Sequence, residues 1–397
     1  VTPMGARLFR NWLSQPLSAL EPIRQRQSAV QALIENSSAL ESFRAQLAQV
    51  RDLERTIGRL SSGSGNSRDL AALRVALEKI PALKQVLSSF TATASASLLI
   101  QEDPAQAGGE PVQLIKTLLG QISELPALVQ ILSLAIVDDP PLALKEGGMI
   151  RYGFDSALDE LREAMRNGKD WIARLQQEEI AKTGIPSLKV RFNSVFGYYI
   201  EVTRANLNKI PSHYIRKQTV ATGERFITPE LKEMEGKILG AEERAFKLEY
   251  ELFQRVRESV LECLRQIQET AGALAQLDAL ASFAESARLH DYCRPKIGDE
   301  GVLQIRDGRH PMLEGNIGDE RFVPNDTALG CGKGAGQEAF PQIAIITGPN
   351  MAGKSTYIRQ VALIALLAHT GGFVPATEAR IDLVDRIFTR IGASDDL

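Results

Sequence analysis

Cysteine, histidine and long apolar runs are scarce in this sequence. Its 397 residues include three cysteines and four histidines. Cys263, Cys293 and Cys331 form no C-x-x-C pair and have no histidine pair beside them, so neither a disulfide framework nor a zinc site is predicted. The longest apolar stretches, such as Val361–Ala368, are far shorter than the roughly 20 residues that cross a bilayer, and no signal segment opens the chain. These absences predict a soluble, cytoplasmic protein without a membrane partner.

An excess of positive charge is also missing from the chain as a whole. The formal net charge of −3 argues against general attraction to nucleic acid. One segment differs, because Lys182–Phe226 contains eight cationic residues against two carboxylates. A solvated face is the alternative, but a net charge of +6 in so short a segment favours contact with nucleic-acid phosphates. The candidate backbone contacts are Lys189, Arg191, Arg204, Arg216, Lys217 and Arg225.

The termini lack the features of a complete chain. The sequence begins at Val1 rather than at methionine, and it ends at Leu397 directly after Asp395-Asp396. We expect both ends to be cut. The 44% apolar composition is still sufficient for two or three folded domains.

Helical periodicity dominates the first part of the chain. Apolar residues three and four apart predict an all-α region over Met4–Leu144, with a loop at Ser61–Ser67. A further helix is predicted from Ser156 to Lys182, and Gly184 is placed to end it.

A β pattern interrupts the helices. Leu188–Thr203 and Tyr214–Thr228 are rich in β-branched and aromatic residues, which predicts a small inserted β module that coincides with the basic segment. Base stacking is one interpretation of its aromatic residues, but packing within the sheet is favoured. These residues are Phe196, Tyr198, Tyr199, Tyr214 and Phe226.

A long helix is predicted after the β module. Thr228-Pro229-Glu230 supplies a hydroxyl cap, a proline at the first helical position and an acid at the positive end of the helix dipole. Apolar residues then recur at helical spacing from Leu231 to Ile267. The pattern fits either a rod of several tens of ångströms or a helix in a bundle, and the residues alone leave both open.

The composition becomes α/β after Cys293. Strands are predicted at Val302–Ile305 and Gln342–Thr347, a helix at Lys354–His369, and a glycine-rich loop at Leu329–Gln337. The strand at Gln342–Thr347 is expected to be buried.

Gly348–Ser355 fits the phosphate-binding pattern G-x-x-x-x-G-K-[ST]. Glycine allows backbone N–H groups to face the phosphates, Lys354 reaches the terminal phosphates, and Ser355 is the expected Mg²⁺ ligand. The helix that follows directs its positive N-terminus at the anion. ATP and Mg²⁺ are therefore the predicted cofactors, and the phosphate-binding residues are Gly348, Pro349, Asn350, Met351, Ala352, Gly353, Lys354, Ser355 and Thr356.

Hydrolysis requires an acidic residue at the end of a second strand, and the sequence does not supply one. None of the acids after Lys354 follows a run of four apolar residues. This predicts a chain that binds nucleotide better than it hydrolyses it. The acids concerned are Glu378, Asp382, Asp385, Asp395 and Asp396.

Several strings together resemble the MutS family of mismatch-repair ATPases. The strongest is GPNMAGKST at Gly348–Thr356, and the similarity covers essentially the whole chain. The other matching strings are Val1–Leu17, Phe196–Ile200, Ile215–Thr219, Phe226–Leu231, Gly308–Pro311, Phe322–Asp326, Tyr357–Ile364 and Asp385–Ala393.

The resemblance implies an α+β multidomain fold. It consists of an all-α core with long lever helices, a small inserted β clamp, and the first part of an α/β P-loop domain of the ABC-like class. The expected bounds are 1–165 for the helical core and lever, 166–228 for the clamp, 229–292 for the lever helix that returns to the core, and 293–397 for the truncated ATPase domain.

The resemblance also implies function and association with the nucleoid. Phe322 and Val323 would pack on the adenine, and the intact parent would be a DNA-dependent ATPase that clamps mismatched double-stranded DNA as a homodimer and works with a MutL-type partner. The family's mismatch-reading domain, acidic strand and signature motif are absent from this sequence, so we expect no complete catalytic site. Another ABC-like chromosome-associated ATPase and a non-catalytic helical scaffold are the competing interpretations.

Overall fold

The computed structural model describes residues 1–97, 112–142, 147–193, 195–314, 322–330, 340–349 and 353–389. The chain forms two compact units. The first contains residues 1–61, 72–125 and 263–397, and the second contains residues 62–71 and 126–262. In the described part of the chain no single helix is long and apolar enough to cross a membrane, although the bent pair Gln113–Gln121 and Pro126–Ala135 passes that test together.

Every regular element in the described part of residues 3–135 is a helix, as the periodicity predicted. Ser62–Asn66 separates two of the helices where a loop was expected. The helices are α1 (Pro3–Ser14), α2 (Leu20–Glu35), α3 (Ser37–Leu47), α4 (Leu53–Ser61), α5 (Ser67–Glu78), α6 (Ile80–Ser97), α7 (Gln113–Gln121) and α8 (Pro126–Ala135).

The start of α1 shows how local sequence and distant packing combine. Thr2 caps the helix, because its hydroxyl accepts from the backbone N–H of Gly5 at 3.0 Å. The same hydroxyl and the backbone N–H of Thr2 both donate to the buried carboxylate of Asp278, each at 2.6 Å. Asp278 thereby fixes the beginning of α1 within the first unit.

The second unit contains a pair of long helices with a sheet inserted between them in sequence. Helix α9 (Ser156–Thr183) ends at Gly184, which adopts the left-handed conformation with φ +62°. The four-stranded antiparallel sheet follows in the order β1-β2-β4-β3. Its strands are β1 (Lys189–Asn193), β2 (Gly197–Thr203), β3 (Ile215–Val220) and β4 (Gly223–Ile227), with a 3₁₀ helix at Arg204–Lys209.

Helix α10 (Pro229–Glu262) begins as predicted. The Thr228 hydroxyl accepts from the Leu231 N–H at 3.2 Å, and 34 residues give a helix about 50 Å long. It packs antiparallel to α9. The expectation that the helix continues to Ile267 is wrong, because Cys263 leaves helical geometry (φ −94°, ψ 9°) and a separate helix, α11 (Leu264–Leu289), starts after it.

The aromatic residues of the β module mainly pack within it, as favoured. Tyr214 and Phe226 are buried in its core and Tyr198 packs against that core, whereas Tyr199 is buried on the opposite sheet face under the Arg225 guanidinium. The inner sheet face packs against α9 and α10 through Ile200 and Val202. The other face carries Lys189, Arg191, Glu201 and Arg225.

A second, three-stranded antiparallel sheet lies in the first unit. Strands β5 (Val302–Gly308), β6 (Asn325–Gly330) and β7 (Glu378–Ile381) have the order β6-β5-β7, and α12 (Lys354–Thr370) packs with this sheet. Ile305, Ile364 and Ile381 are central to the shared core. The structure confirms the predicted strand at Val302–Ile305 and the predicted helix.

The buried strand predicted before the P-loop is not formed. Residues 343–349 have no strand geometry, and the side chains of Ile343 and Ile345 are 81% and 88% exposed. Within the described ranges this segment pairs with no strand, and a β-strand needs a neighbour for its backbone N–H and C=O groups. Within the described residues the strand–loop–helix arrangement of an α/β P-loop domain is therefore not formed, and the β6-β5-β7 sheet is antiparallel.

The glycine-rich loop also begins later than expected. Leu329 and Gly330 belong to β6, because they pair with Leu303 and Val302 of β5. Residues 331–337, the rest of that predicted loop, lie outside the described residues. The strands β6 and β7 were not predicted, since their short sequences NDTALG and EARI lack an alternating apolar pattern.

Candidate functional site

The phosphate-binding motif is described at its two ends. Gly353 adopts the left-handed conformation with φ +79° and precedes the first residue of α12, Lys354. The Lys354 ammonium donates to the carbonyl of Gly348 across the loop. Asn350, Met351 and Ala352 lie outside the described residues. The turn therefore holds the lysine ammonium beside the positive N-terminus of a 17-residue helix.

An open pocket of about 760 Å³ adjoins this helix start. It brings the two residues expected to contact adenine together with the end of the P-loop, although they are separated by some 30 positions in sequence. Its described lining residues are Phe322, Val323, Asn325, Ile345, Ile346, Thr347, Gly353, Lys354, Thr356 and Tyr357.

Hydrogen bonds hold the wall of this pocket. The Tyr357 hydroxyl on α12 lies 2.9 Å from the Thr327 hydroxyl on β6 and donates to the Asp326 carbonyl at 3.3 Å. The Asn325 amide donates to the Val323 carbonyl at 3.1 Å. Val323 remains 77% exposed, so its side chain is available to a ligand.

The acidic residues do not complete this pocket. None of its described lining residues is acidic, and Ser355, the expected Mg²⁺ ligand, is exposed at the helix start. Asp382 follows β7 but is buried, and its carboxylate accepts the backbone N–H groups of Glu300 and Val302 at 2.9 and 3.0 Å. Glu378 is exposed and pairs with Arg306. These two carboxylates have structural partners, and Asp395 and Asp396 lie outside the described residues.

The far end of α12 is anchored by residues that the sequence did not single out. His369 is buried; its Nδ1 lies 2.8 Å from the Ala365 carbonyl, and its Nε2 accepts from the Val384 N–H at 3.1 Å. These contacts assign the neutral tautomer with the proton on Nδ1. Arg26 of α2 donates to the Thr370 carbonyl at 2.9 Å. No local pattern predicts the role of Arg26, because its partner lies 344 residues away.

The candidate DNA contacts separate into two groups. Among the described residues Arg216 and Arg225 are ion-paired, with Glu224 at 3.2 Å and Glu201 at 3.9 Å respectively. The other four cations are exposed and make no ion pair within the described part of the chain. These four are Lys189, Arg191, Arg204 and Lys217.

Strand register accounts for this arrangement. In the backbone register Lys189 lies opposite Glu201 and Arg191 lies opposite Tyr199, on the sheet face away from the core. The guanidinium of Arg225 lies 4.4 Å from the Tyr199 ring centre and donates to the Gln218 amide oxygen at 2.8 Å. Arg225 is thus held in the sheet surface, while Lys189 and Arg191 project from the edge strand β1.

Family models match most of this chain. The model described as MutS domain III matches residues 1–284, and the model described as MutS domain V matches residues 344–397. The chain belongs to the MutS family.

Individual relatives agree with the MutS assignment. A DNA mismatch repair protein MutS of Halothermothrix orenii is 48% identical over the whole chain, which covers 41% of that protein. Those of Pelotomaculum thermopropionicum and Methanosarcina mazei are 48% and 45% identical, with 43% and 41% of each protein covered. The chain therefore spans about two fifths of the length of these MutS relatives.

Proposed function

We propose that this chain is the ATP-binding and DNA-clamping part of a MutS-type mismatch repair protein. The observation that carries the proposal is the pocket in which Phe322 and Val323 meet Gly353, Lys354 and Thr356. A nucleotide has an apolar base and an anionic tail, and this pocket offers apolar side chains at one part and a helix N-terminus with a lysine at another.

The nucleotide would occupy this pocket with its base against Phe322 and Val323. Its phosphates would lie on the loop Gly348–Thr356, where Lys354 would turn from the Gly348 carbonyl to the terminal phosphates. Mg²⁺ fits the exposed Ser355 hydroxyl together with phosphate oxygens, because Mg²⁺ prefers oxygen ligands and commonly binds through substrate phosphates.

The β module would contact the DNA backbone. Lys189, Arg191, Arg204 and Lys217 are exposed and lack carboxylate partners among the described residues, so phosphates would meet charges that the protein does not already neutralise. Arg216 and Arg225 would contribute less, because each already has an acidic neighbour. The helices α9 and α10 would support the sheet from its inner face.

The remaining family properties are proposed for the longer protein. These are ATP hydrolysis coupled to clamping on mismatched duplex DNA, homodimer formation, and work with a MutL-type partner. The described pocket residues include no acid to support hydrolysis, so we expect this chain alone to bind nucleotide without efficient turnover. The bounds 1–165, 166–228, 229–292 and 293–397 stay the proposed domain limits.

Binding of a fluorescent ATP analogue with Mg²⁺ tests the nucleotide site. We expect saturable binding that is lost in Lys354→Ala and kept in Lys247→Ala, a matched change at an exposed lysine on α10. Circular dichroism of each variant checks that the helices remain. If the wild-type chain is well folded but binds no analogue, this chain does not form a nucleotide site by itself.

The salt dependence of duplex DNA binding tests the clamp surface. The double variant Lys189→Ala/Arg191→Ala should bind more weakly, and the negative slope of log K against log salt should become less steep by about 1 to 2, because each phosphate contact contributes about −0.9 to it. Lys169→Ala, an exposed lysine on α9, is the matched control. An unchanged slope in the double variant would show that DNA does not contact β1.

A further inference from the structure

Two elements that lie apart in sequence form the walls of the candidate nucleotide pocket. Phe322 and Val323 precede β6, whereas Lys354 and Tyr357 belong to the first turn of α12. A nucleotide that contacts both walls spans a set distance, so its affinity depends on how firmly the protein holds the walls at that separation before binding. A contact between β6 and the start of α12 therefore affects nucleotide binding even if it does not touch the ligand.

Tyr357 makes such a contact from the α12 side. It follows Lys354 by three residues, which places both side chains on one face of the helix, and both line the pocket. The backbone N–H of Tyr357 donates to the Gly353 carbonyl at 2.9 Å, so the residue is fixed to the end of the P-loop. Its hydroxyl donates to the Asp326 carbonyl at 3.3 Å. Because a phenol has one proton, the Thr327 hydroxyl is then the donor in the 2.9 Å bond to Tyr357.

The β6 side of this contact leads to the residues expected to meet the base. Thr327 is buried within β6. The Asp326 carboxylate accepts the backbone N–H of Asp307 at 2.9 Å, which fastens this end of β6 to β5. Asn325 begins β6, and its side-chain amide donates to the Val323 carbonyl at 3.1 Å. A chain of hydrogen bonds and one short stretch of strand thus connects the Tyr357 hydroxyl to Val323.

We propose that Tyr357 is a positioning residue for the nucleotide, whose hydroxyl sets the separation between Val323 and Lys354. The inference rests on the proposed nucleotide site and assigns a role to a residue that follows the P-loop motif. Tyr357 acts through β6 and not by a bond to the ligand. Loss of its hydroxyl should therefore weaken the contact with the base, while the phosphate-binding loop keeps its own residues.

Hydrogen exchange in the nucleotide-free protein tests whether the hydroxyl holds β6. Tyr357→Phe keeps the ring in the pocket wall and removes the bonds to β6. The amide hydrogens of Asn325–Gly330 should then exchange about twofold to tenfold faster, because a side-chain hydrogen bond of ordinary strength is lost from the strand. Tyr250→Phe, at an exposed tyrosine on α10, is the matched control and should leave β6 unchanged. Unchanged exchange of β6 in Tyr357→Phe would overturn the proposal.

A double-mutant cycle with the fluorescent ATP analogue tests whether Tyr357 acts through the base. Tyr357→Phe alone should weaken binding about threefold to tenfold, and Thr327→Val, which removes the partner hydroxyl, should weaken it similarly. In a Phe322→Ala/Val323→Ala background the base contact is already lost, so adding Tyr357→Phe should cost little more. A purely structural role predicts instead that the losses multiply, and that outcome would refute the positioning role.

The wild-type chain separates a failure of this inference from a failure of the proposed function. If the folded wild type binds no analogue, the proposed nucleotide site fails, and the positioning role fails with it. If the wild type binds but Tyr357→Phe binds equally well, the nucleotide site stands and only the positioning role is refuted. Wild-type binding, faster β6 exchange and a non-additive cycle together support the role of Tyr357.

Discussion

The guanidinium of Arg26 lies 3.5 Å from the centre of the Trp12 ring and donates to the carbonyl of Thr370 at 2.9 Å. Three segments of the first unit meet at this residue: α1 through Trp12, α2 through Arg26 itself, and the C-terminal end of α12. Burial lowers the pKa of Arg26 to about 10, and no carboxylate among the described residues pairs with it. The aromatic face and the negative end of the helix dipole take the place of an ion pair.

Arg26→Lys should destabilise the first unit, although it keeps the charge. Lysine lacks the planar group that stacks on Trp12 while reaching Thr370, so we expect a loss of about 1–3 kcal/mol in the free energy of unfolding. Thermal denaturation measures the loss, and Arg10→Lys, at an exposed arginine of α1, is the control. Equal melting temperatures for both variants would show that the stacked arginine contributes nothing specific.

Glu249 on α10 joins three segments of the second unit. Its buried carboxylate accepts the backbone N–H groups of Gly148 and Ile150 at 2.9 and 2.8 Å, and it pairs with Arg162 of α9 at 2.9 Å. Glu249→Ala leaves these donors without a partner, and we expect a cost of about 3–5 kcal/mol. Urea unfolding followed by circular dichroism measures it. The exposed Glu251→Ala should change little, and a comparable loss there would argue against the network.

Alanine substitutions at two glycines with positive φ distinguish the cost of backbone strain from the cost of side-chain crowding. Gly184 (φ +62°) has open space where a Cβ would lie, whereas a Cβ at Gly197 (φ +77°) would lie 2.2 Å from the Glu235 carboxylate. Gly184→Ala should cost about 1 kcal/mol through backbone strain alone. Gly197→Ala should cost clearly more, because Glu235 also accepts the Tyr198 N–H at 2.7 Å and cannot move freely. Hydrogen exchange at the β1–β2 hairpin reports the difference, and similar protection in both variants would contradict the crowding.

Acid should lower the folding stability of the first unit, because it protonates Asp52. Arg7 donates to both carboxylate oxygens, at 2.7 and 2.9 Å, and holds the pKa of Asp52 below its ordinary value of 3.8. Because the folded pKa is the lower one, the unfolded chain binds the proton first as pH falls. The contribution of this pair is therefore present above about pH 3.8 and lost as pH falls through the folded pKa.

Arg7→Met isolates that contribution. Other carboxylates also titrate, so the informative quantity is the drop in urea midpoint between about pH 6 and about pH 3, which should be smaller in Arg7→Met than in wild type. Arg10→Met supplies the control for loss of one exposed charge from α1. An equal drop in all three proteins would show that Asp52 does not couple to folding.

The sequence by itself determined the local elements and the family. Thr228 is a hydroxyl cap that can be recognised from its neighbours, and Gly184 ends α9 because a helix C-terminus favours a residue with positive φ. The P-loop motif and the basic β module could likewise be predicted from the sequence, since each is a contiguous pattern. These features depend on residues a few positions apart.

Only the tertiary structure decided which residues have partners. It separated the ion-paired Arg216 and Arg225 from the exposed Lys189 and Arg191, and it showed that the Asp382 carboxylate binds backbone N–H groups. It also showed Ile343–Ile346 exposed, because an apolar run becomes a buried strand only beside another strand. Periodicity and caps are local properties of the chain, whereas burial, ion pairing and hydrogen-bond satisfaction depend on residues that sequence separation does not reveal.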